Sequence, residues 1–210
     1  MSRKGILAVV SGFSGAGKGT LMKALLSEYA DQYALSISAT TRGPREGEMD
    51  GREYFFKTKE QFEQMIEDGE LIEHACYVGN YYGTPKSYVM EQLEAGKNVI
   101  LEIEIQGARK IKEQYPDAVL LFVTTKDAQT LKDRLTGRGT ESEEVIRNRL
   151  LRAAQEAEGV DEYDYLLVND QLEDAVDRLH NIIQSEHFAM RRNLGFIHEI
   201  QAQAAKFVEE

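Results

Sequence analysis

The 210-residue sequence predicts a three-layer α/β fold with a mostly parallel central sheet. Three observations predict it. Short apolar runs with the length of buried strands alternate along the chain with segments in which apolar residues recur at helical spacing. A Gly-rich loop lies between the first apolar run and the first helical segment. The composition, 42% hydrophobic and 29% charged, is sufficient for one substantial core and excludes a disordered chain.

Strand and helix patterns alternate from the start of the chain. Residues 6–10 form a continuous apolar run, predicted as a buried strand, and the helix after the Gly-rich loop is predicted by Leu21, Met22, Leu25 and Leu26. Three further strands are predicted over residues 98–104, 118–124 and 165–169. The first precedes a helix over residues 108–114, the second precedes a helix that Asp127 could cap, and the third precedes a helix over residues 172–183. This alternation indicates parallel strands.

Two segments interrupt the alternation. Residues 36–84 change to short strands with turn chemistry, including a capping box at residues 58–61 and a turn at Gly79-Asn80. They are expected to form an insertion with its own small sheet. Residues 137–142 are polar and Gly-rich and predict a mobile loop between two helices. A terminal helix with an apolar stripe is predicted over residues 187–210.

The charge balance excludes some classes of partner. With 25 Lys and Arg against 36 Asp and Glu, the net charge of −11 argues against non-specific binding to nucleic acid or to anionic membranes. Cys76 is the single cysteine and is expected to be a small buried hydrophobe in a reducing compartment. No apolar run reaches the ~20 residues of a membrane span. We therefore expect a cytoplasmic protein, whose oligomeric state the sequence leaves open.

The Gly-rich loop has the pattern of a P-loop, which makes the predicted fold a P-loop fold. It follows a predicted strand and opens a helix, and glycines in that position let successive backbone N–H groups surround a phosphate. Lys18 adds a full positive charge. Gly19 stands where such loops usually carry Ser or Thr, so a metal-facing hydroxyl would come from Thr20 or be replaced by water. The predicted ATP contacts in the loop are Gly12, Phe13, Ser14, Gly15, Ala16, Gly17, Lys18, Gly19 and Thr20.

Arginines concentrate in two places in this acidic chain. The first cluster is Arg42, Arg45 and Arg52, and the second comprises Arg134, Arg138, Arg147, Arg149 and Arg152. Guanidinium groups bind phosphate oxygens in a bidentate way, so two clusters and one P-loop indicate two phosphorylated substrates. Salt bridges with the abundant Asp and Glu are the alternative interpretation of both clusters.

Eight stretches, in order, resemble guanylate kinases, which phosphorylate GMP with ATP. They are residues 12–20, 38–45, 51–54, 70–73, 79–84, 101–107, 134–140 and 168–170. The resemblance implies one domain over residues 5–185, with a small mixed α/β GMP-binding insertion at 36–84 and a helical lid at 134–156. The core would comprise residues 5–35, 85–133 and 157–185, followed by a helical tail at 186–210.

The resemblance also implies residue roles in the GMP site. The GMP phosphate would be held by Ser38, Arg42, Arg45, Tyr54 and Tyr82. Glu73 and Thr84 would read the base, which is chemically reasonable because one carboxylate can accept from both N1–H and the N2 amino group of guanine. Adenine would instead direct an acceptor at the carboxylate, a mismatch that can reject a substrate by about 10⁴-fold.

The remaining implied roles concern the donor nucleotide and its metal. Glu102 and Glu104 lie two apart on a predicted strand, so they are expected to face one side of the sheet and to serve Mg²⁺ and the acceptor site. Thr20 would join Glu102 toward Mg²⁺, directly or through water, and Glu104 would face GMP. The resemblance implies catalytic roles for Lys18 and the lid arginines Arg134, Arg138 and Arg149. Arg138 and Asn169 would also contact the adenine of ATP.

Two alternatives to a kinase for GMP are retained. The acceptor could be another small phosphate, such as AMP, a pyrimidine monophosphate or a phosphorylated ribose, and dGMP is a further possible acceptor. The chain could also resemble the catalytically silent modules that bind peptides in scaffold proteins. Glu73 with Thr84 favours guanine over the first alternative, and the intact P-loop with the lid arginines argues against the second.

Overall fold

The structure is a computed structural model, and the residues it describes are 3–77, 79–136, 147, 151, 157 and 159–209. The predicted polar loop at 137–142 lies outside these described residues. So do three arginines of the second cluster, Arg138, Arg149 and Arg152. Elements are numbered below along the described part of the chain.

A five-stranded parallel sheet forms the centre of the molecule. Its strands are β1 (Leu7–Gly12), β2 (Tyr33–Leu35), β7 (Asn98–Glu102), β8 (Val119–Thr124) and β9 (Tyr165–Val168). Their spatial order is β2-β7-β1-β8-β9, and all four neighbouring pairs are parallel. β1 therefore lies in the middle, with residues 7–11 buried, as the continuous apolar run predicts.

Helices cover both faces of this sheet, which confirms the predicted three layers. The helices are α1 (Lys18–Glu28), α3 (Lys86–Glu94), α4 (Ile105–Gln114), α5 (Ala128–Thr136) and α6 (Leu172–Glu186). Successive β1 residues point to opposite faces. Ala8 and Val10 pack with residues of α1 and α6, whereas Leu7 and Val9 pack with residues of α3 and α4.

A second, four-stranded sheet lies within the predicted insertion. It consists of β3 (Ala39–Thr40), β4 (Phe55–Phe56), β5 (Leu71–Tyr77) and β6 (Asn80–Pro85), in the order β4-β3-β6-β5. The sheet is mixed, because β3 and β4 are parallel and the other pairs are antiparallel. Helix α2 (Lys59–Glu67) packs on it through Phe62, which is fully buried and stacks on the Tyr81 ring.

Caps predicted from the sequence are present in the structure. The Thr58 hydroxyl accepts from the Gln61 backbone N–H at 3.2 Å, and the Gln61 side chain accepts from the Thr58 N–H at 2.9 Å, which confirms the capping box of α2. Asp127 accepts from the Thr130 N–H at 2.7 Å, which confirms the cap of α5.

Two sequence-based expectations are wrong. Glu102 and Glu104 do not share a strand face, because β7 ends at Glu102 and Glu104 is the N-cap residue of α4. Cys76 is exposed, because it lies on β5, at the edge of the second sheet, where one face of the strand meets solvent.

The predicted terminal helix is present as α7 (Met190–Glu209). Its first turn is attached to the core through Glu186, a buried carboxylate that pairs with both Arg191 and Arg192. The Tyr165 hydroxyl donates to the same carboxylate at 2.6 Å. Within the described residues, no helix combines the length and the apolar character that crossing a membrane would require.

Candidate functional site

The phosphate loop connects β1 to α1 in the middle of the parallel sheet. The Lys18 ammonium donates to the Gly12 carbonyl at 2.7 Å and to the Phe13 carbonyl at 3.2 Å, so it lies folded over the loop. A Cβ added at Gly12 would lie 2.1 Å from the Val123 carbonyl oxygen, so only glycine allows the loop to leave the sheet this close to β8. The Lys18 charge and the N-terminus of α1 therefore lie together at the loop.

The outer side of the loop is held by two side chains that donate to one carbonyl. The Asn169 amide lies 2.8 Å from the Ala16 carbonyl oxygen, and the Arg134 guanidinium lies 3.3 Å from it. Asn169 directly follows β9 and is buried, and Arg134 extends from α5. The structure thus places two predicted nucleotide contacts against the backbone of the loop.

Arg42 lies in an aromatic and acidic setting on the second sheet. Its guanidinium carbon lies 5.2 Å from the centroid of the Tyr54 ring, and the Tyr54 and Tyr82 rings are 6.1 Å apart. Arg42 also donates to Glu48 at 2.9 Å, and both of these side chains are largely buried. The structure therefore brings together three of the predicted phosphate ligands, Arg42, Tyr54 and Tyr82.

Glu48 is a component of this site that the sequence analysis did not single out. One of its oxygens binds the Arg42 guanidinium, and the other accepts from the Arg45 backbone N–H at 2.8 Å. These two bonds hold the pKa of Glu48 below its usual value, the Arg42 bond contributing most. Its position six residues after Arg42 inside a charged turn was the available signal.

The other predicted phosphate ligands are less enclosed. The Arg45 side chain is exposed, and Ser38 is half-buried beside β3 with its carbonyl accepting from the Phe55 N–H at 2.9 Å. Arg52, from the same sequence cluster, pairs with Glu53 at 2.6 Å. Salt bridging thus accounts for Arg52, whereas Arg42 combines a salt bridge with two nearby tyrosines, whose hydroxyl groups can donate to an anion.

Glu73 and Thr84 face each other across β5 and β6. The Thr84 hydroxyl, fully buried, donates to the Glu73 carboxylate at 2.8 Å. Burial raises the pKa of Glu73, and the Thr84 hydrogen bond opposes this shift, followed by the charges of His74 and Lys110. Lys110 belongs to α4, which packs against β5, so a helix of the parallel sheet contributes charge to this site.

Two carboxylates lie where β7 ends and α4 begins. Glu102 ends β7, beside β1, and is accessible to solvent. Partial removal of the Glu102 carboxyl from water raises its pKa, and the positive charge of Lys18 lowers it. The two side chains are therefore electrostatically linked. Glu104 begins α4, at the end of the helix nearest to the loop strand. Both carboxylates thus lie at the carboxyl edge of the sheet, where α/β proteins bind ligands.

A Gly-rich phosphate loop at the carboxyl edge of a parallel sheet, opening a helix, defines a P-loop nucleotide-binding protein. The sequence profile of the family described as "Guanylate kinase" matches residues 4–186. The chain therefore belongs to the guanylate kinase family.

Individual relatives agree with this assignment. The chain is 53% identical to a guanylate kinase of Oceanobacillus iheyensis, over 91% of this chain and 93% of that protein. It is 50% identical to a guanylate kinase of Streptococcus mutans, over 95% of each. A crystal structure of guanylate kinase from Anaplasma phagocytophilum superposes with a TM-score of 0.70, at 31% identity, over 90% of each chain.

Proposed function

We propose that this chain is a guanylate kinase, an enzyme that transfers the γ-phosphoryl group of ATP reversibly to GMP and gives ADP and GDP. The observation that carries the proposal is the Glu73–Thr84 pair, a half-buried carboxylate held by a buried hydroxyl in the same region as Arg42, Tyr54 and Tyr82. A base-reading group and an anion site thus occur together, apart from the phosphate loop.

Glu73 would read guanine through its charge. Its carboxylate can accept from guanine N1–H and from the N2 amino group, while Thr84 fixes its orientation. Adenine offers an acceptor at the corresponding edge, which would set two acceptors against each other and disfavour its binding. The raised pKa of Glu73 fits a partly desolvated carboxylate that a donor-rich base would stabilise further.

The phosphate of GMP would lie at the other end of this site. Arg42 and Arg45 would neutralise it, and the hydroxyls of Ser38, Tyr54 and Tyr82 would donate to its oxygens. In the free protein Glu48 already orients Arg42, and a guanidinium has enough donors to keep that partner while it binds phosphate.

ATP would bind with its phosphates in the loop of residues 12–20. Lys18 would neutralise the transferred group, and Arg134, Arg138 and Arg149 would act from the region we propose as the lid, residues 134–156. Asn169 and Arg138 would lie toward the adenine. The GMP phosphate is already anionic at neutral pH, so the reaction needs no general base, and catalysis reduces to alignment and charge neutralisation.

We further propose that Mg²⁺ accompanies the ATP. Within the described residues no cluster of three or more His, Cys, Asp or Glu side chains could hold a metal, which fits an ion bound mainly through substrate phosphates and water. Thr20 and Glu102 would provide the oxygen ligands from the protein, and Glu104 would face the acceptor nucleotide. When bound, the ion would neutralise charge on the phosphates.

A coupled assay of ADP formation tests the proposal. ATP and Mg²⁺ are supplied with GMP, AMP, dTMP or no acceptor, and we expect ADP to form rapidly with GMP alone. Activity with AMP but not with GMP would show that the acceptor is wrong. If no ADP forms with any of the acceptors, the result would favour a binding module without catalysis.

A further inference from the structure

The Ala16 carbonyl oxygen, on the outer side of the phosphate loop, is held in place by two side-chain hydrogen-bond donors. It accepts from the Asn169 amide at 2.8 Å and from the Arg134 guanidinium at 3.3 Å. The two donors come from different elements, the end of β9 and helix α5. Both Ala16 and Asn169 are buried, so this contact is shielded from water.

The geometry of the peptide unit makes this anchor relevant to phosphate binding. In a planar trans peptide, the C=O of one residue and the N–H of the next point in opposite directions. If the Ala16 C=O is held toward β9 and α5, the Gly17 N–H must point toward the inside of the loop. Gly17 is the N-cap residue of α1, so its N–H has no acceptor within the helix and is available to an anion.

Gly17 is also the residue that permits the contact. Its φ of 86° lies in the left-handed region, and a Cβ added there would lie 2.7 Å from the Asn169 amide nitrogen. Glycine at this position thus serves both the turn of the loop and the approach of Asn169.

Asn169 is itself held in place by the sheet. Its backbone N–H donates to the Thr124 carbonyl at 2.8 Å, which continues the β8–β9 pairing beyond the end of β9. The side chain therefore extends from a fixed point on the sheet, and it can transmit that fixed position to the loop.

We infer that Asn169 is a positioning residue of the phosphate loop: by donating to the Ala16 carbonyl, it fixes the Ala16–Gly17 peptide with the Gly17 N–H directed at the ATP phosphates. The inference rests on the proposed function, which supplies ATP as the ligand. This role takes the place of the adenine contact considered above for Asn169, because its amide already donates to the Ala16 carbonyl, and its effect should be independent of the base.

Binding measurements by calorimetry on the full chain separate these roles. The variants are Asn169→Ala, which removes the donor, and Asn169→Asp, which places a carboxylate oxygen against the Ala16 carbonyl. Each is titrated with ATP, with inorganic tripolyphosphate, which has no base, and with GMP. We expect equal losses of affinity for ATP and tripolyphosphate, about 5-fold for Asn169→Ala and about 30-fold for Asn169→Asp, with GMP affinity unchanged.

Asn98→Ala is the matched control, because Asn98 is another buried asparagine of the same sheet whose side chain binds Ile6 and His187 instead. It should lower stability and leave both affinities unchanged. The inference is overturned if ATP binding weakens while tripolyphosphate binding does not, or if neither changes. Should Asn169→Asp fail to fold by circular dichroism, Asn169→Ala alone decides by the same comparison. If the proposed function is wrong, the unaltered protein will instead form no ADP in response to GMP.

Discussion

The phosphate loop and the site on the second sheet are built in different ways. The loop offers mainly backbone N–H groups, and its position is set by β1, the most enclosed strand of the parallel sheet. The second site offers side chains, and two of its four strands are only two residues long. A backbone site depends on the fold around it, whereas a side-chain site depends on pairwise contacts that single substitutions can remove.

The electrostatic balance of the two regions differs as well. In the loop, the Lys18 ammonium donates to the Gly12 and Phe13 carbonyls and is electrostatically linked to Glu102. On the second sheet, Arg42 is already paired with Glu48, while the half-buried Glu73 carboxylate accepts from the neutral Thr84 hydroxyl. The second site thus contains a cation, Arg42, that is partly neutralised, and a carboxylate, Glu73, whose charged form is disfavoured by desolvation. We expect its substitutions to separate affinity from stability, which substitutions in the loop should not do.

The largest effect is expected for Lys18→Ala. Loss of a preorganised charge at the transferred group should lower kcat by about 1,000-fold, while GMP affinity stays unchanged. Lys23→Ala, on the exposed side of the same helix, is the control and should retain full activity. Single-turnover kinetics with a GMP titration measure both quantities. A comparable fall in GMP affinity would show that the two regions are coupled more tightly than their construction indicates.

Glu73→Gln should have the next largest effect: activity with GMP should fall, whereas the stability of the free protein should rise. The amide cannot accept from both guanine donors, so kcat/KM for GMP should fall by about 100-fold. The free enzyme should become more stable at neutral pH, because burial disfavours the charged carboxylate. Glu67→Gln, on the exposed surface of α2, is the control for a simple change of charge. Denaturant unfolding without nucleotide and steady-state kinetics test the two halves; lower stability of the variant would contradict this account.

The pH dependence of Glu73 has a defined direction. Because its pKa is raised in the folded state, the folded protein binds the proton more tightly than the unfolded chain does. The unfolding free energy from this group should therefore increase as pH falls through the raised pKa, and GMP binding should weaken over the same range as the carboxylate is lost. Glu73→Gln should remove this component from both profiles. The measurement is the difference between the two proteins from pH 7 down to about 4.5.

Glu48→Ala is expected to have a moderate effect confined to affinity. Two hydrogen bonds that orient Arg42 and the Arg45 backbone are lost, so the KM for GMP should rise by about 10-fold with little change in kcat. Removal of a negative charge near the phosphate acts in the other direction. A lower KM would show that repulsion outweighs positioning. Glu46→Ala, an exposed neighbour, should leave the KM unchanged.

The two regions also differ in how far the sequence predicts them. The loop follows from the order of strand, glycines, Lys18 and helix, and the three-layer fold follows from the alternation of apolar runs. The Arg42–Glu48 pair does not follow, because it depends on how a turn folds back on itself. The contact between Asn169 and Ala16 joins residues 153 positions apart, and nothing in local spacing indicates it.

The wrong expectations have local physical causes. A period of two places Glu102 and Glu104 on one face only while the strand continues, and the chain turns into α4 immediately after Glu102. Cys76 has the apolar character of a core residue, but an edge strand exposes one of its faces. Sequence patterns therefore predicted the elements well. They predicted less well where a strand ends and which of its faces is covered.

The smallest effect is expected for Thr58→Ala, which removes the capping box of α2. The loss should be about 1 kcal/mol of stability, equivalent to a fall of about 2–4 °C in Tm for a chain of this size, with kcat unchanged. Lys59→Ala, an exposed change in the same turn, is the control. Hydrogen exchange shows where the loss falls. If the second sheet opens independently of the parallel sheet, exchange should accelerate in residues 39–85 alone. Uniform acceleration would mean that the side-chain site and the backbone site unfold as one cooperative unit.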